Sequence, residues 1–74
     1  MAGKRPDATD LAVGQRIRSL RRDANLSQTE LADQIGVTFQ QVQKYENGKN
    51  RVGAGRLIAI ARAWMFRSPH SLMG

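Results

Sequence analysis

Within LSQTELADQIGVTFQQV, residues 26–42, two helix starts flank a helix stop. Ser27 and Glu30 have the S-x-x-E spacing in which the hydroxyl caps a helix and the carboxylate reaches back to the cap's own N–H. Thr38 and Gln41 repeat that spacing, so a second short helix begins there. Between them stands Gly36, where the chain needs a positive φ that glycine adopts at little cost. Two short rods joined by so tight a turn must cross at a steep angle. Gln28, Ala32, Gly36 and Val42 follow the pattern Q-x3-A-x3-G-x5-V. Ala32 has to be small because the following helix crosses close to it, and Val42 packs that helix back onto those before it. The unit this describes is a helix-turn-helix.

The flanks supply further helices. Asp10 is placed to cap the first, and Val13, Ile17, Leu20 and Ala24 recur on one face of it. Arg18 and Arg22 point away from that stripe, where either could meet a phosphate, and Arg21 borders it; the segment DANLS ends the helix. The second helix buries Leu31, Ala32 and Ile35. Asn47-Gly48 closes the third. The basic, glycine-rich loop KNRVGAG leads to a fourth helix from about Ala54 to Met65, with Leu57, Ile60, Ala61 and Trp64 on one face. Ser68-Pro69 starts a last short turn, since proline suits a first helical position. Residues 1–9, with Gly, Pro and mixed charge, read as a flexible arm, and residues 10–74 as one domain. Lys4 and Arg5 in the arm could touch phosphates or a minor groove, although a plain disordered tail is the favoured reading. Strand-like alternation and internal repeats are absent from the sequence. The expected fold class is all-α, a compact bundle of four to five short helices.

The 74 residues carry twelve Lys/Arg against six Asp/Glu, a formal charge of +6. That excess favours a polyanionic partner, nucleic acid before membrane, although charge alone fits a generically basic surface equally well. Without cysteine there are no disulfides or thiolate metal sites, and the single His70 cannot build a zinc site alone. No nucleophile–base pair or phosphate cradle is evident, so an enzyme, a cofactor and a small-molecule ligand are not expected. No apolar run approaches the ~20 residues of a membrane span, nor is there the apolar core of a signal peptide, so a cytoplasmic location is expected.

The third helix, read at 100° per residue, puts Val42, Tyr45 and Thr38 on one side and Phe39, Gln40, Gln43 and Lys44 on the other. The second set consists of long side chains able to reach a partner. A glutamine amide pairs donor and acceptor as adenine's N6 and N7 require, lysine reaches guanine O6/N7 or a phosphate, and phenylalanine can lie against a thymine methyl. The alternatives are a solvated polar face, with Phe39 packed inward.

The stretch LSQTELADQIGVTFQQVQKYENGKN resembles the DNA-binding domain of the phage lambda repressor and Cro family, and the surrounding helices extend the resemblance from about Leu11 to Trp64. It implies a third helix in the major groove, with base contacts from Thr38, Phe39, Gln40 and Lys44 and with Gln43 as a further candidate. It also implies that Gln28, Asn47, Lys49, Asn50 and Arg51 hold the phosphate backbone, and that Arg21 pairs with Glu46. Two separate surface charges are the alternative for that pair. The expected function is a sequence-specific duplex-DNA regulator, a repressor, acting as a homodimer at least on DNA. Ile58, Met65, Phe66, Leu72 and Met73 are the apolar residues left for the dimer contact; Met65 and Phe66 could instead complete the core. An antitoxin-like or anti-repressor protein-interaction module is the main alternative, and RNA binding a weaker one.

Overall fold

The computed structural model describes residues 7–67. The readings placed on Lys4 and Arg5, on the Ser68-Pro69 turn, and on His70, Leu72 and Met73 lie outside the described residues. Four helices follow one another: α1 (Ala8–Asp23), α2 (Gln28–Ile35), α3 (Phe39–Glu46) and α4 (Ala54–Arg67). α3 packs on both α1 and α2, whereas α4 packs on α2 and meets α1 more lightly.

α1 starts earlier than expected. Asp7, not Asp10, is the N-cap, and its side chain makes no capping hydrogen bond. The Asp7 carbonyl accepts from Leu11 N–H at 3.0 Å, closing a first turn built on Ala8, the best helix former. Residues 8 and 9, read as part of the arm, are therefore helical. Asp10 sits in the first turn, where a carboxylate complements the positive end of the helix dipole.

α2 carries the full reciprocal capping box. Glu30 N–H donates to Ser27 Oγ at 3.0 Å, and Ser27 N–H donates to Glu30 Oε1 at 2.8 Å. Gly36 ends the helix at φ 75°, ψ 34°, the left-handed conformation, and Val37 N–H returns to the Ala32 carbonyl. Thr38 Oγ1 then accepts from Gln41 N–H at 3.1 Å and starts α3. Leu31, Ala32, Ile35 and Val42 are buried, so the crossing is dry. Val42 is fully enclosed, and burying a side chain of that size is worth ~1.5–3 kcal/mol.

The core face of α4 is rotated from the expected one. Ile60 and Ala63 are buried and Trp64 is half-buried, but Leu57 is 40% exposed and Ala61 is exposed. The reason is that α4 lies mainly on α2 rather than on α1. Arg56 Nη1 donates to the Ile35 carbonyl at 3.2 Å and fixes that alignment. The Leu57–Ala61 side instead borders an open apolar groove of about 280 Å³ towards Val13, Ile17 and Leu20 of α1. Phe66 is 78% exposed and Met65 is also exposed, so neither completes the core. Val52, in the loop, and Leu26, after α1, take buried places that helical periodicity does not mark.

Candidate nucleic-acid interface

α3 is the element whose two faces differ most. Val42, Tyr45 and Glu46 point inward and are buried. Phe39, Gln40, Gln43 and Lys44 are all exposed, as is Thr38 at the N-cap. Phe39 is 40% exposed, so it is partly covered and partly open to solvent rather than buried in the core. Thr38 lies at the head of the outward row rather than on the core face that the wheel gave it, because a cap residue has extended, not helical, dihedrals.

The inward face is fixed sterically and electrostatically. Gly14 of α1 lies against the last turn of α3; a Cβ there would collide with the carbonyl oxygens of Tyr45 and Glu46. Beside that contact lies the Glu46 carboxylate, whose side chain has no exposed surface. Arg21 approaches it in two-pronged fashion, Nε to Oε2 at 2.6 Å and Nη2 to Oε1 at 3.2 Å, while its Nη1 donates to the Leu26 carbonyl at 2.8 Å. Arg21 and Glu46 are thus a buried pair and not two surface charges. Gln28 Nε2 donates to Glu46 Oε1 at 3.0 Å, and Arg18 Nε donates to the same oxygen at 3.3 Å. Arg18 does not point away from the stripe as expected; it leans across to α3, and its Nη2 also reaches Asn47 Oδ1 at 3.4 Å. Burial by itself would raise the Glu46 carboxyl. The hydrogen bonds from Arg21, Gln28 and Arg18, with the Arg21 charge, outweigh burial and hold it below its ordinary value of 4.5.

The residues assigned to phosphates lie around the end of α3 and the start of α2. Asn47, Lys49 and Arg51 are exposed and Asn50 is half-buried. Arg51 is drawn toward α1, with Nε 3.4 Å from Asp10 Oδ1 and Nη2 3.6 Å from Asp7 Oδ2. Gln28 is half-buried, with both ends of its side chain engaged: Nε2 on Glu46, and Oε1 accepting from Gln43 Nε2 at 3.5 Å. Sequence reasoning misses the close approach of Gly14 to α3 and the reach of Arg18 to Glu46. Gly14 had a signal, an isolated glycine inside a helical pattern, which commonly marks a close packing contact. Arg18 had none, since its partner lies across the fold.

Among the described residues no cluster of acidic or imidazole groups could hold a metal ion, and no helix is long and apolar enough to cross a membrane.

An exposed row of long side chains on a helix clamped from behind defines a binding module of the helix-turn-helix class. A helix-turn-helix family model matches residues 17–63. The chain belongs to that family, of the Cro/C1, lambda repressor-like type: DNA-binding domains of transcriptional regulators, not enzymes. It is 63% identical over 60 residues to an uncharacterized HTH-type transcriptional regulator, y4wC, of Sinorhizobium fredii, covering 81% of this chain and 42% of that protein. An uncharacterized transcriptional regulator in the ATPase CF(0) region of Rhodospirillum rubrum is 56% identical over 54 residues, covering 73% of this chain and 50% of that protein. A putative HTH-type transcriptional regulatory protein of Pyrococcus furiosus is 39% identical over 56 residues, 76% of this chain and 17% of that protein. The chain thus spans half or less of the length of these relatives. No solved structure matches it significantly.

Proposed function

We propose that this domain binds duplex DNA sequence-specifically by placing α3 in the major groove. The observation that carries the reading is the row Phe39, Gln40, Gln43 and Lys44, exposed together on a helix whose opposite face is buried. In this pose Thr38, Phe39, Gln40, Gln43 and Lys44 face base edges. Asn47, Lys49, Asn50 and Arg51 meet the phosphates beside the groove, and Gln28 offers its first-turn backbone N–H to another. Arg51 leaves Asp7 and Asp10 to do so. Such exposed ion pairs are worth only ~0–1 kcal/mol, less than the gain from a phosphate contact in which counterions are released.

One module reads few base pairs, so two copies on half-sites about one turn, ~34 Å, apart give useful specificity. The exposed apolar residues of α4, Ile58 and Phe66 foremost, favour a protein contact there, which is assigned to a second copy. Occupying a promoter excludes competing proteins, so the simplest regulatory outcome is repression, carried out in the cytoplasm where bacterial and archaeal DNA lies.

Selection from random duplex DNA at two salt concentrations tests the reading. A preferred sequence with two half-sites, and binding that weakens steeply with salt, is expected. Salt-insensitive binding without a preferred sequence points instead to a protein-interaction module. Gln40→Ala should cost ~1–3 kcal/mol on the selected site and relax the choice of base at one position, with non-specific binding little changed.

A further inference from the structure

We propose that Asp7 and Asp10 form an autoinhibitory latch on Arg51. In the free protein the two carboxylates stand in for DNA phosphate, and so they restrain binding to every duplex. The proposal rests on Arg51 gripping the backbone beside the groove, and it adds what limits that grip.

The loop after α3 is fastened near both ends. Gly48 has a φ of 74°, and a Cβ there would lie 2.7 Å from Leu11 Cδ2 and 2.9 Å from Leu11 Cα. The start of the loop therefore sits directly on α1. Further along, Val52 is buried in the core. Arg51, between these two points, is thereby kept close to the first turn of α1. That turn carries two carboxylates three residues apart, a spacing that puts them on one side of the helix. Asp7, the N-cap, makes no capping hydrogen bond with its side chain.

Arg51 Nε donates to Asp10 Oδ1 at 3.4 Å, and Nη2 stands 3.6 Å from Asp7 Oδ2. One edge of the guanidinium thus faces two anionic oxygens, the arrangement it would make with a phosphate. A phosphate brought to that edge would stand beside both carboxylates, three anions around one cation. The two partners are therefore exclusive. The Asp10 side chain is 16% exposed and that of Arg51 is 75% exposed, so the acid is held and the cation is the part able to leave. Lys49, in the same loop, forms no ion pair among the described residues, and its ammonium needs no release.

The test measures affinity for the selected duplex and for an unrelated one. Wild type is compared with Asp7→Asn/Asp10→Asn, and Arg51→Ala and Lys49→Ala are each placed in both backgrounds. The asparagine variant is expected to bind both duplexes about threefold more tightly at low salt. Its salt dependence should be steeper, because salt itself loosens the latch of the wild type. Arg51→Ala should cost about threefold more in the asparagine background than in wild type, whereas Lys49→Ala should cost the same in both. An equal cost of Arg51→Ala in the two backgrounds means that the acids only repel DNA at a distance, and overturns the latch. A smaller cost in the asparagine background means that they orient Arg51 on the phosphate, and overturns it too. Asparagine caps helices as well as aspartate does, so α1 should survive the change. If the variant does not fold, NMR of the wild type decides. A contact between the Arg51 Nε proton and the Asp10 β protons is expected in the free protein and should vanish on adding the selected duplex. Its absence from the free protein, or its persistence in the complex, overturns the latch. A wild type that binds no duplex overturns the restraint together with the functional reading. The contact in the free protein does not depend on DNA, and so separates that outcome from failure of the latch alone.

Discussion

The junction of α1 with α3 and the outer side of α4 are built by opposite means. At the junction two helices touch backbone to side, with Gly14 against the carbonyls of Tyr45 and Glu46 and one enclosed carboxylate gathering four side-chain hydrogen bonds from three residues. Among the described residues of α4 Ile60 and Ala63 are buried, with Ala59 and Trp64 packed partly against the core, while Leu57, Ile58 and Phe66 are exposed to different degrees. The proposed role of α3 calls for a helix held in one orientation, and directional bonds and steric stops deliver that better than non-directional apolar packing. The proposed contact of α4 with a second copy has the reverse need, apolar area left uncovered.

The largest effect should come from removing the centre of the junction. Glu46→Ala leaves the Arg21 guanidinium, whose side chain is 11% exposed, without its counter-charge. Breaking a buried pair from one side costs ~3–5 kcal/mol, most of the stability of a domain this small. Urea unfolding measures it; a change under 1 kcal/mol would mean that the junction does not depend on this pair. The same carboxylate gives the fold a pH dependence. Its native pKa lies below the ordinary 4.5, so the stabilisation is fully present above about pH 4.5 and is lost as pH falls through the native value. An acid titration of stability should show this slope in wild type and a weaker one in Glu46→Gln.

Gly14→Ala comes next. The added methyl meets two backbone carbonyls that cannot swing aside, so helices α1 and α3 must move apart. Overpacking of this kind costs ~1–3 kcal/mol, against a gain of up to ~1 kcal/mol from alanine's helix propensity. A net loss in the unfolding midpoint is expected, and with it weaker DNA binding through the tilt of α3. A stabilised variant would show that the junction is looser than its geometry implies.

The contrast also explains what could be read from the chain. The helix-turn-helix is written in local chemistry: Ser27, Glu30, Gly36 and Thr38 act on residues within one turn of themselves, so spacing alone reveals them. The outward set on α3 follows from the same short-range periodicity. The junction is not local. Family resemblance pairs Glu46 with Arg21, but neither Arg18 nor Gln28 carries a sequence mark of reaching it. Periodicity alone misplaces the buried face of α4, because its apolar residues cover more than one side. Leu57 and Ala61 fit the helical period as well as Ala63 does, and only the seating on α2 decides between them.

At the basic loop, Arg51→Ala should weaken binding to all duplexes alike and reduce the salt slope by about one unit per module. Its loss from the pair with Asp7 and Asp10 should barely alter stability, since that pair is exposed. A sequence-dependent loss would place Arg51 on a base and move the boundary between gripping and reading residues.

The smallest expected change in the monomer, and the sharpest check on the comparison, is at Phe66. A side chain 78% exposed contributes little to the fold, and replacing it with serine should shift stability by no more than ~0.5 kcal/mol. If α4 meets a second copy, the loss appears elsewhere. Sedimentation should show less dimer on a two-half-site duplex, cooperativity between half-sites should fall, and affinity for a single half-site should stay the same. A Phe66→Ser protein that kept full cooperativity would remove α4's outer side from the dimer contact. A protein that lost several kcal/mol of monomer stability would instead show that this side of α4 is part of the core, and the difference from the α1–α3 junction would then be one of degree.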